Sequence, residues 1–115
     1  MSDFKISVPI PKPPDSASSY QARIQKQVTS MQSRVGADET LAVILVLPDG
    51  GNIFVTWMGY SDPNMLVVDG FDANEHAVRV LVPHVSAHIL LATVKRDERK
   101  QKPVGFEPLP AQQDT

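Results

Sequence analysis

Between Leu41 and Val94 the chain repeats one pattern, a short apolar run followed by a compact turn. The clearest turns are Pro48-Asp49-Gly50-Gly51, Ser61-Asp62-Pro63-Asn64 and Asp72-Ala73-Asn74-Glu75. Runs this short, rich in Val, Ile and Leu and bounded by Gly, Pro, Asp and Asn, predict strands rather than helices. The expected strands are Leu41–Leu47, Asn52–Tyr60, Met65–Val68 with a continuation to Phe71, His76–Val82 and Val85–Val94. Asp49-Gly50 supplies the positive φ that a tight hairpin needs. In the second strand Ile53, Val55 and Trp57 alternate with Phe54, Thr56, Met58 and Tyr60. Both sets are largely apolar, so both faces are expected to be covered. Gly59 is the expected bend, and Trp57 and Phe71 read as core.

An amphipathic helix precedes the strands. Tyr20, Ile24, Val28, Met31 and Val35 fall on one helical stripe within Ser16 to Val35. Ser18 with Gln21 fits a capping box, and Gly36 fits a stop. Gln21, Arg23, Lys26, Gln27 and Ser30 make the opposite face polar and mildly basic.

Residues 1–15 read as a Pro-rich flexible arm, since alternate prolines block a helix and an internal strand. Residues 96–115 read as a charged, Pro-rich, disordered tail with little to bury. The single domain is then residues 16–95, a size near the lower limit for one core and one that favours self-association.

The chain has no cysteine, which removes disulfides, thiolate metal sites and thiol nucleophiles together. It shows no secretory leader or membrane-spanning run, so a soluble cytoplasmic protein with no membrane partner is expected. Charge is unevenly spread. Between Leu41 and Val94 the acids are Asp49, Asp62, Asp69, Asp72 and Glu75, and Arg79 is the only base. Most of the other bases gather on the helix (Arg23, Lys26, Arg34) and just after the last strand (Lys95, Arg96, Arg99, Lys100, Lys102), which is where a polyanion would be drawn.

Catalytic constellations are hard to assemble. His84 and His88 share a metal-ligand spacing but have no evident third ligand. Asp69 and Asp72 flank Gly70 at a strand end, where aspartate serves turns. Ser86 has no activating partner, and Asp49-Gly50-Gly51 lacks the spacing and lysine of a phosphate loop. No catalytic residue, metal or cofactor is assigned. Tyr60, beside the Ser-Asp-Pro-Asn turn, is the aromatic best placed to stack on a base.

A helix followed by five short, bent strands with a very short last connection resembles the Sm-like fold, and its bacterial Hfq branch in particular. Val43 to Gly51 resembles the first strand and turn, and Gly59 to Val68 the aromatic-Asp turn and third strand. Val82-Pro83-His84-Val85-Ser86 resembles the Tyr-Lys-His segment of that branch, with Val82 and Pro83 replacing the tyrosine and lysine. The resemblance spans roughly Ser18 to Lys95. It implies a mainly β fold, an N-terminal α-helix with a five-stranded, strongly bent small barrel; an SH3-like barrel is the alternative. It also implies a ring, hexamer or heptamer, joined through the fourth and fifth strands. Ligands, RNA or small nucleotides, would meet Tyr60, Asp62, Asn64 and His84, with Gln21 and Arg23 on the helix-bearing face. The expected function is therefore a non-catalytic homo-oligomeric ring that binds RNA or sequesters a small nucleotide. A small-barrel protein-protein interaction module with no nucleotide ligand is the alternative.

Overall fold

The computed structural model describes residues 15–95 and 104–109. One helix, α1 (Ala17–Gln32), precedes strands β1 (Glu39–Val46), β2 (Asn52–Ser61), β3 (Met65–Phe71), β4 (Ala77–Pro83) and β5 (His88–Lys95). A 3-10 turn at His84–Ser86 leads into β5, and a short strand β6 (Gly105–Phe106) follows. The main strands lie in the order β4-β3-β2-β1-β5, every neighbouring pair antiparallel. A helix followed by this order is consistent with an Sm-like topology. The expected strongly bent barrel is corrected: the sheet is neither closed nor strongly curled, and β4 and β5 are its two edges. Closure needs strand tilt and stagger that bring the two edges together. Among the described residues α1, not an edge strand, covers the inner face.

The bend expected at Gly59 falls earlier. Register shifts between Val55 and Trp57, so Thr56 is a bulge. The bulge reverses the side-chain phase. Ile53 and Val55 are buried before it and Met58 after it, while Phe54 and Thr56 are exposed. The single alternation read from the sequence therefore fails halfway along β2. Gly70 lies opposite, and a Cβ there would collide with the Phe54 carbonyl oxygen. Glycine is required at that crossing because backbone presses on backbone. Trp57 is half-buried and Phe71 is exposed, so neither belongs to the buried core expected for them.

The core forms between the inner sheet face and α1. Val43, Leu45, Ile53, Val55, Met58, Leu66 and Val68 meet Ala17 and Ile24, with Tyr20 and Val28 packed alongside. The predicted helical stripe holds for Tyr20, Ile24 and Val28, while Met31 is not among the residues packed on the core and Val35 lies beyond the end of α1. The predicted cap does not hold. Ser16 is the N-cap, its Oγ accepting from the Ser19 N–H at 3.1 Å. Ser18 and Gln21 turn inward instead, because each finds a stronger partner in the sheet or beyond it. Among the described residues no helix is long and apolar enough to cross a membrane.

The N-terminal arm lies outside the described residues except for Asp15. Of the segment after Lys95, residues 96–103 and 110–115 also lie outside them. Val104–Leu109, which the sequence reading placed in a disordered tail, is part of the fold. Gly105 and Phe106 pair in parallel with Trp57 and Met58, taking up the part of β2 beyond its pairing with β1. The Glu107 N–H donates to the Met58 carbonyl at 2.9 Å. Val104 and Phe106 pack against the core. Sequence composition hides this because one apolar pair among prolines and charges carries no period. Phe106→Ala should lower unfolding free energy by about 2 kcal/mol, roughly half the cost of emptying a fully buried Phe site, read as a lower urea midpoint. An unchanged midpoint would mean that β6 adds nothing to the fold.

Candidate functional site at the helix end and the sheet edge

The turn after β2 and the 3-10 turn before β5 both meet the start of α1. The Ala17 N–H donates to the Pro63 carbonyl at 2.7 Å. Asp62 receives the Ser18 N–H on Oδ1 at 2.8 Å and the Ser18 hydroxyl on Oδ2 at 2.6 Å. A carboxylate at a helix N-terminus satisfies an orphan donor and complements the helix dipole. Asp62 thus performs capping at long range, with both oxygens engaged.

His84 is buried beside this junction, 5% exposed. Its N–H donates to the Asn64 carbonyl at 2.9 Å, and its ring Nδ1 lies 3.3 Å from the same oxygen. Nε2 lies 2.8 Å from Asp15 Oδ1. The Asp15 hydrogen bond raises the His84 pKa above its ordinary value; burial opposes it, and the Asn64 carbonyl and the Asp15 charge reinforce it. The Arg23 charge acts weakly the other way. His88 is exposed on β5, so the histidine pair is split between a buried turn and a solvent-facing strand position.

Tyr60 sits on the inner side of β2 and is half-buried. Its hydroxyl donates to the Pro108 carbonyl at 2.7 Å, and its N–H to Glu107 Oε1 at 3.3 Å. Partial desolvation, with the charges of Glu107 and Asp62, raises its pKa. Gln21 is fully buried. Its amide nitrogen donates to the Glu107 carbonyl at 2.8 Å and to Gln25 Oε1 at 3.0 Å, while Oε1 has no partner among the described residues.

The six residues expected to hold a ligand therefore divide. Asp62, His84 and the backbone of Asn64 come together, but as the clasp between helix and sheet. Tyr60 and Gln21 come together through Glu107, as the anchor of β6. Arg23 and the Asn64 side chain remain exposed. Among the described residues no three His, Cys, Asp or Glu side chains cluster as metal ligands would.

A different recess lies beside β5. Tyr20, Arg23, Ile24 and Gln27 of α1 face Ile89 and Leu91 across an open, largely apolar groove of about 230 Å3. The Arg23 guanidinium lies 5.7 Å from the Tyr20 ring centroid and donates to Ser19 Oγ at 3.1 Å. The Tyr20 hydroxyl donates to the Ala87 carbonyl at 3.1 Å, which fixes the wall of the groove. Sequence reasoning missed this site. The available signal was Arg23 and Gln27, spaced four apart beside the apolar stripe that holds Tyr20 and Ile24.

No family model, curated protein or solved structure matches the chain.

Two outcomes test the clasp. Asp62→Ala should cost about 1–2 kcal/mol, the range of a lost helix cap, measured by urea unfolding with far-UV circular dichroism. The His84 contribution has a definite sign. A folded-state pKa raised above the unfolded value of 6.5 adds stability that is full below pH 6.5 and disappears as pH rises through the folded value. The urea midpoint of the wild type should therefore fall on its alkaline side relative to that of His84→Gln; parallel profiles would remove the ion pair from the account.

Proposed function

We propose that this chain is a non-catalytic, self-assembling Sm-like module that joins copies edge to edge into a hexameric or heptameric ring and binds RNA or a small nucleotide. The observation that carries the reading is the pair of open edges. Among the described residues β4 and β5 each have a strand partner on one side only, β4 pairing with β3 and β5 with β1. Unpaired edges with apolar side chains favour pairing with another chain. Alternate residues of β4, Val78, Val80 and Val82, are half-buried on the core side of the sheet. A neighbour's β4 laid along β5 would carry such residues towards Ile89 and Leu91 in the helix-side groove. Two different edges meeting head to tail give a ring when the rotation closes.

Support for the ligand part is narrower. Arg23 and Asn64 are exposed predicted residues whose side chains are not spent on the clasp, whereas the exposed Asp62 is engaged by Ser18, and Tyr20 adds an aromatic ring beside Arg23. An Arg-aromatic pair at a groove suits a base with its phosphate. Few cations stand there, so binding should survive moderate salt.

The interaction-module reading, with no nucleotide, is favoured by a specific observation. Tyr60, Asp62 and His84 are engaged within the fold, and the turns between strands are acidic.

Native mass spectrometry separates these readings. The ring requires a particle mass that is a multiple of six or seven copies; a lone monomer sinks it. Fluorescence anisotropy with a labelled oligoribonucleotide then tests the ligand. Arg23→Ala should weaken binding by about three- to tenfold with a shallower salt slope. No binding by the wild type would leave the interaction module as the function.

A further inference from the structure

The face of the sheet turned away from α1 is apolar across all of its main strands. Strand register places Leu90, Ile44, Phe54 and Phe71 side by side, in that order, on β5, β1, β2 and β3. Leu81 on β4 and Val94 on β5 extend the same face. Leu81 is 61% exposed, Leu90 49%, Phe54 46%, Phe71 44% and Val94 40%. An antiparallel sheet with one solvated face normally carries polar residues there. Ile44, between Leu90 and Phe54, is itself only 7% exposed, so the open apolar surface is carried by Leu90, Phe54, Phe71, Leu81 and Val94. Such a patch marks a contact.

We propose that this face packs against the same face of a second copy, as two sheets stacked across a two-fold axis. Three features of the face favour a copy of itself. The first is size. Five strands about 4.8 Å apart and about seven residues long project roughly 550 Å2. Side-chain relief raises the accessible area towards the about 800 Å2 per partner of a standard interface. The second is charge. Under two-fold symmetry a face of one sign repels itself. Here Asp69 and Arg79 stand on the face as a bidentate pair, at 2.6 and 2.9 Å, so one charge of each sign is already matched. Arg79 holds the Asp69 carboxyl below the usual range, which keeps the pair ionised. The third is flatness: the sheet is not strongly curled, so two such faces can approach along their length at the spacing of stacked sheets. Trp57, half-buried under the Arg79 guanidinium at 5.8 Å, would lie near the edge of the contact. The face is separate from the β4 and β5 edges, so the contact stands whether or not edges pair.

The test is the particle mass of Phe54→Lys at micromolar concentration, with folding checked by far-UV circular dichroism. Phe54 is nearly half exposed, so lysine fits the folded monomer while placing two like charges in the stacked pair. The wild type should have an even number of copies, and Phe54→Lys half that mass. An unchanged mass, or a monomeric wild type, overturns the proposal. The absence of cysteine allows a second measurement. A polarity-sensitive dye on Leu90→Cys should emit at shorter wavelength when concentrated and shift red on dilution. A spectrum independent of concentration overturns the proposal even if Phe54→Lys fails to fold. If Phe54→Lys keeps the wild-type mass but loses affinity for an oligoribonucleotide, the face is a base-stacking platform and the two-fold contact is wrong.

Discussion

Thr56 interrupts the register of β2, and most of the molecule depends on that interruption. Without it, the residues of one parity along the whole strand would address α1. With it, Ile53 and Val55 point to the helix side at one end, and Met58 and Tyr60 at the other. Phe54 is sent to the outer face beside Phe71, and Trp57 follows it there beside Asp69. The bulge also drives the Phe54 carbonyl against Gly70, the position where a side chain could not fit. Beyond the bulge, β1 no longer pairs with β2, and Gly105-Phe106 takes that edge. One extra residue thus fixes the core, the exposed row and the docking of the C-terminal segment.

The helix end is organised by polar contacts rather than by its apolar stripe. Asp62 and Pro63 receive the first donors of α1, and His84 ties the same corner to Asp15 and Asn64. Buried polar groups are costly unless paired. That cost explains why the buried Ser18 and His84 are matched by the carboxylates of Asp62 and Asp15 at the surface, and why a turn that looks like a ligand loop is spent on holding the fold. The exposed chemistry is displaced to the groove beside β5 and to the helix-free face.

Those two surfaces differ in kind. The groove carries a guanidinium, an aromatic ring and an amide around an apolar floor. The face is broad, apolar and internally charge-matched. The first is the surface proposed for a nucleotide ligand, and the second the one proposed for a second copy of the chain. The groove is walled by Ile89 and Leu91 of the edge strand β5 itself.

The sequence by itself determined the type and order of α1 and the five main strands, but not β6. Periodicity marked the apolar stripe of α1, and Asp49-Gly50, Asp62-Pro63 and Asp72 to Glu75 marked the turns, because those signals are local backbone chemistry. It also showed which side chains could bond, including Asp62, His84 and Gln21. Tertiary structure decided what they bond to. Ser18 and Asp62 are 44 residues apart in sequence, and Gln21 and Glu107 are 86 apart. No local pattern encodes such pairings. The same holds for the bulge at Thr56, which shifts register only because β3 lies opposite, and for the open sheet. Whether five short strands close depends on how α1 covers one face and how the strands stagger across the whole sheet, a balance that no single run of residues carries.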